Sequence, residues 1–180
     1  VALRASLTDV GINATVFACE RGEVIMSAKA ETRLKELGIV LPAATPPWAN
    51  YRSFVLSGQQ VYVSGQLPQL GEESYKGKLG LDLGVEEGQR AARICAINIL
   101  PHLREACGGS LDRVTQCVEI GGFVNSAPDF RDQPLVLNGA SELLVQVFGE
   151  IGRHTRFAIG VSALPFNFAL EVKGVFEISP

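Results

Sequence analysis

The segment "FALEVKGVFEI", residues 168–178, limits the fold more than any other stretch. Phe168, Leu170, Val172, Phe176 and Ile178 fall on one side of an alternating pattern, and Glu171, Lys173 and Glu177 fall on the other. Period-two alternation is the signature of a β-strand with one apolar face. Such a strand requires a sheet, and the apolar face of that sheet requires a covering layer. Apolar residues interspersed with the charges of the second face favour another subunit over bare solvent.

The covering layer is present in the chain. Residues from Val85 to about Cys107 predict a helix, with Glu86 and Glu87 suited to the dipole of its first turn and Ala91, Ile94, Cys95 and Leu100 forming an apolar face. Pro101 is expected to kink or split it. A second helix follows Pro134 through "LVLNGASELLVQVFG" and stops at Gly149. The remaining β-rich runs are a hairpin in "YRSFVLSGQQVYVSGQLP" turning at Gly58, a strand in "DRVTQCVEIGGFVN", and strands at about residues 156–163 and 168–178. Gly121-Gly122 predicts a bulge or a close backbone approach. "GEESYKGKLGLDL" reads as a surface loop. With a short amphipathic helix at Ser27–Leu37, the order is helix, then β-β-α-β-α-β-β. This predicts an α+β fold, a mixed sheet with two long helices packed on one face.

Composition bounds the organisation and the function. A chain of 180 residues that is 47% apolar supports one well-filled core. Residues 1–25 read as an N-terminal extension, since Met26 directly precedes the first helical segment; residues 26–49 are that helix and a proline-rich connector, "LPAATPPWAN"; residues 50–180 are the domain. A net charge of −3 with scattered Lys and Arg leaves no electrostatic footprint for a nucleic acid. No run of about 18 apolar residues is present to span a membrane. Cys19, Cys95, Cys107 and Cys117 form no C-x-x-C pair and read as reduced core thiols of a cytoplasmic protein. His102 and His154 are too few for a multi-histidine metal site and read as surface or capping residues.

Four features then carry a resemblance: Tyr51 with the run Ser64-Gly65-Gln66-Leu67-Pro68, the segment Phe123-Val124-Asn125 followed by Asp129-Phe130, Arg156 with Leu164-Pro165, and Glu171. From about residue 50 to 178 the chain resembles the YjgF/RidA family of reactive-intermediate deaminases, also called the endoribonuclease L-PSP family. The resemblance implies a chorismate-mutase-like subunit in a homotrimer, sheets inward, with clefts between neighbouring subunits. It also implies hydrolysis of small carboxylate-bearing imines and enamines such as 2-aminoacrylate to a keto acid and ammonia, with no metal or organic cofactor. Arg156 would be the carboxylate clamp, Glu171 the acid that orients or activates water, and Tyr51 and Ser64 cleft residues that hydrogen-bond substrate or water.

The chemistry of the residues is compatible with those roles. A guanidinium is a planar fork of donors that grips a carboxylate bidentately, and a carboxylate beside a clamped substrate is suited to proton transfer. Each residue has a second reading: Arg156 as the start of an edge strand salt-bridged to Glu171, Glu171 as a charge on a solvated face, Ser64 as a small strand-end residue, Tyr51 as core. Two positions depart from the deaminating pattern, Pro128 before Asp-Phe and Ala158 two residues after the arginine. A non-catalytic trimer that binds keto acids is therefore the alternative function. A ribonuclease fits less well, since the chain is acidic and shows no aromatic stacking platform.

Overall fold

The computed structural model describes residues 29–47 and 49–180. The extension at residues 1–25, the start at Met26 and Trp48 lie outside the described residues. Helix α1 (Ala30–Glu36) is followed by β1 (Phe54–Ser57), β2 (Gln60–Gln66), β3 (Gln69–Leu70), β4 (Glu73–Ser74), α2 (Val85–Ala106), β5 (Val114–Asn125), α3 (Gln133–Phe148), β6 (Thr155–Val161) and β7 (Leu170–Ile178). Five strands form one sheet in the order β1-β2-β7-β5-β6, with β3 and β4 as a separate pair. Only β5 and β6 run parallel, joined by α3; the other pairings in this sheet are antiparallel.

The α+β architecture agrees with the sequence, and α2 and α3 lie together over one face of the sheet. Leu170, Val172 and Phe176 of β7 are fully buried against them, alongside Val61 of β2 and Ile120 and Val124 of β5. Gly122 lets that sheet approach α3, since a Cβ there would lie 2.7 Å from Leu137; Gly121 likewise yields to the Phe157 ring on the opposite face. The glycine pair is thus a close approach, whereas the register shifts of β5 occur earlier, between Val114 and Gln116 and between Cys117 and Glu119. Cys95, Cys107 and Cys117 are buried and unpaired.

Three expectations change. Helix α2 runs unbroken through Pro101; the ring removes one donor but the helix is held on both sides by packing. The glycine-rich loop is not wholly on the surface: Leu79 is fully buried, and Lys78 Nζ donates to Asn125 Oδ1 at 2.7 Å and to the Ser162 carbonyl at 2.6 Å. The loop also contains the β3–β4 hairpin, whose two-residue strands are too short for alternation to reveal. Among the described residues, no helix is long and apolar enough to cross a membrane.

Candidate functional site

The centre of the candidate site is an irregularity in the sheet. The pairing of β2 with β7 shifts register between Val63 and Gln66, leaving Ser64 and Gly65 as a bulge. Bulges re-aim side chains and mark functional positions in sheets. The Glu171 carboxylate packs directly over Gly65, so closely that a Cβ at that glycine would lie 1.7 Å from Glu171 Oε1. Glu171 is flanked in β7 by the fully buried Leu170 and Val172, so its own side chain is on the face away from the helices. It is partly buried, and burial pushes its carboxyl above the usual carboxylate range. Among the described residues it pairs with no cation.

Ser64 and Tyr51 are beside this bulge. The Ser64 hydroxyl donates to the Arg52 carbonyl at 2.7 Å, and its backbone N–H donates to the Ser53 carbonyl at 2.9 Å, tying the end of the connector to β2. Tyr51 is 55% exposed, which rules out the core reading. Ser64, Gly65 and Tyr51 together line a pocket of about 360 Å³ that is closed on its other sides by connector prolines and by α2.

Arg156 is elsewhere. It pairs in register with the core residue Ile120 and therefore projects to the helix-covered face. Its Nη1 donates to Asn138 Oδ1 at 2.9 Å and to Ser141 Oγ at 3.1 Å, both on α3. Ser141 Oγ also meets His154 Nε2 at 3.0 Å, and His154 Nδ1 faces the Gly152 carbonyl at 2.6 Å. A carbonyl can only accept, so Nδ1 carries the proton; the Ser141 oxygen accepts from Arg156 and its hydroxyl donates to a neutral Nε2. Burial holds the His154 imidazole below its usual range, with the Arg156 charge acting in the same direction. Both of these partners of the guanidinium are neutral, and among the described residues no carboxylate forms an ion pair with it. The alternative of an Arg156–Glu171 salt bridge is not formed.

The chain thus places Tyr51, Ser64 and Gly65 on one pocket, with Glu171 against Gly65 but not in the pocket wall, and holds Arg156 apart. β5 separates β7 from β6, a lateral distance of about 10 Å, and the two charged side chains leave the sheet on opposite faces. The sequence reading of His102 also changes. It is 3% exposed rather than at the surface, lines the pocket, and burial holds its imidazole below its usual range. The proline before it masked the signal, because a kink or split expected at Pro101 left the packing of the next residue undetermined. Asn138 and Ser141 were missed too; they stand at helical spacing on α3 but carry no motif.

Comparison with known proteins agrees with this architecture. Residues 31–177 match the family described as "YjgF/chorismate mutase-like, putative endoribonuclease". Protein TCP17 of Trypanosoma cruzi is 48% identical over 158 residues, covering 87% of this chain and 98% of that protein. The crystal structure of Atu1372 from Agrobacterium tumefaciens, of unknown function, superposes with a TM-score of 0.77 at 46% identity, over 83% of this chain and 92% of that one. A Shewanella oneidensis protein given the same endoribonuclease designation superposes with a TM-score of 0.79 at 35% identity, over 83% and 99%.

Proposed function

The chain belongs to the YjgF/chorismate-mutase-like family, and on that premise we propose that it is a cofactor-independent hydrolase of small carboxylate-bearing imines and enamines, acting in the cytoplasm. The observation that carries this reading is the Glu171 carboxyl: partly buried, raised above the usual carboxylate range, unpaired by any cation among the described residues, and laid against the bulge at Ser64 and Gly65. A carboxyl raised by burial and left without a cation is suited to proton transfer, the task of a general acid–base group.

In the reaction, water adds to the imine carbon while Glu171 takes a proton from it. The same group returns that proton to nitrogen to give a carbinolamine, then passes the carbinolamine hydroxyl proton to that nitrogen as the C–N bond breaks, and ammonia leaves a keto acid whose new oxygen came from water. Arg156, which pairs with no carboxylate among the described residues, grips the substrate carboxylate. Since it is on the far edge of the sheet from Glu171, we place the complete site between subunits of a homotrimer, Arg156 from one and Glu171, Ser64 and Tyr51 from the next.

The test is the rate of pyruvate release from 2-aminoacrylate generated by a pyridoxal-phosphate lyase. Wild-type protein should accelerate it, and Glu171→Gln or Arg156→Ala should each lose on the order of 10²-fold or more. Wild-type protein without effect would overturn the reading, and tight pyruvate binding in the same sample would instead favour the non-catalytic carrier.

A further inference from the structure

We propose that Lys78 is a second anion-binding residue of the reaction site, and that the substrate is accordingly the imine or enamine of a dicarboxylic acid, its distal carboxylate held by the Lys78 ammonium. The proposal rests on the reading of Glu171 as the acid–base group, and it names the substrate class of that site.

The placement follows from the strand register. Glu171 of β7 stands directly opposite Phe123 of β5, and both point away from the helices, since their neighbours Leu170, Val172 and Val124 are fully buried. Asn125, two residues beyond Phe123, shares that orientation, and its backbone N–H donates to the carbonyl of Ala169, two residues before Glu171. Asn125 Oδ1 accepts from Lys78 Nζ at 2.7 Å, and the same nitrogen reaches across the end of β5 to the Ser162 carbonyl at 2.6 Å. The ammonium is therefore on the face that carries Glu171, about 10 Å from it by strand spacing and rise. A four- or five-carbon acid with a hydrogen bond of about 2.8 Å at each end covers that span.

The charge is held ready and left uncompensated. An ammonium has three donors and no acceptor. Two of the three go to neutral oxygens, and among the described residues no carboxylate forms an ion pair with Lys78. Asp82, four residues on, accepts instead from the Lys78 backbone N–H at 2.8 Å. Asn125 is itself fixed: it is 1% exposed, and its Nδ2 donates to the Gly77 and Phe168 carbonyls and to Asn167 Oδ1. A long side chain pinned in this way has already lost the rotamer freedom that gripping a ligand would otherwise cost. The loop that encloses the network is strained, with Phe166 and Asn167 in the left-handed region at φ 55° and 59°, and such strain collects at ligand-binding segments. With Arg156 of the neighbouring subunit on the α-carboxylate, the two ends of a dicarboxylic imine are held by different cations while its imine carbon stays beside Glu171.

Two measurements decide the matter. Calorimetric titration of wild-type protein at low salt should show succinate bound at least tenfold more tightly than butyrate, which has one carboxylate on a chain of the same length. Lys78→Met should abolish that difference and Lys78→Arg should keep it; should Lys78→Met fail to fold, Lys78→Gln, which keeps a donor for Asn125 but no charge, takes its place. With imines made in place by amino-acid oxidases, kcat/KM should be at least tenfold higher for the aspartate-derived imine than for that of 2-aminobutyrate, and loss of the charge should remove the preference through KM. A lysine that only braced the loops would lower both substrates in proportion and leave the ratio. Equal affinity of the wild type for succinate and butyrate, or a preference that survives loss of the charge, would overturn the proposal. Should wild-type protein hydrolyse no imine at all, the catalytic reading fails, and the succinate titrations alone judge Lys78.

Discussion

Gly65 and Ser141 are the two residues on which the candidate chemistry turns, and neither carries a charge. A side chain at Gly65 would meet only the flexible end of Glu171, so Gly65→Ala should displace the carboxylate at little structural cost. We expect a stability change within about 1 kcal/mol in urea unfolding together with a loss of turnover matching Glu171→Gln. Ser141 links Arg156 to His154. As pH falls through the depressed His154 pKa, Nε2 becomes a second donor to the oxygen that also accepts from Arg156, and two cations face each other across Ser141. KM should therefore rise as pH falls below the ordinary imidazole range more than kcat falls, and Ser141→Ala should flatten that rise. His102 and His154 both titrate below their unfolded value of 6.5. The stability they confer is thus complete above that value and lost as pH falls through their folded pKa values, a slope that urea midpoints across pH would reveal. Arg156 was legible in the sequence because a motif marks it. Its partners were not, because only packing decides which helix residue, 18 or 15 positions earlier, reaches it.

Seven residues are too few to hold a helix in water, so α1 exists through its docking. Ala30 and Leu34 are buried in the core, and Glu31 accepts from the Arg104 guanidinium and from the Leu111 backbone N–H. Burial pushes the Glu31 carboxyl upward, but the Arg104 and Leu111 hydrogen bonds prevail and its pKa is lowered. This anchor is accordingly present above its unfolded pKa of 4.5 and lost as pH falls through the folded value. Both side chains keep some solvent contact, so Arg104→Ala should cost only about 1–2 kcal/mol, and amide exchange at residues 30–36 should rise before the rest of the protein opens. Elements of this kind separate what a sequence shows from what it conceals. The long helices and β7 were legible because their apolar residues recur over several turns or pleats. The helix through Pro101 was misjudged because local preference cannot register packing on both flanks.

Strand order was not legible at all, because alternation says which face of a strand is buried and nothing about its neighbours. The order β1-β2-β7-β5-β6 leaves β1 and β6 as edges, and the face away from the helices shows Val55, Tyr62 and Ile159, each 44–48% exposed, around the Lys173–Glu119 pair. A mixed apolar and charged surface of this type suits a subunit contact. Sedimentation should give a trimer, and Tyr62→Lys should shift it toward monomer without loss of helical signal. The placement of Arg156 and Glu171 on separate strands and faces has a genetic consequence. In the proposed intersubunit site no single copy owns a whole reaction centre, so two alleles crippled at different positions should rescue one another. Co-expressed Arg156→Ala and Glu171→Gln chains should regain activity in about a quarter of their seams, although each alone is dead.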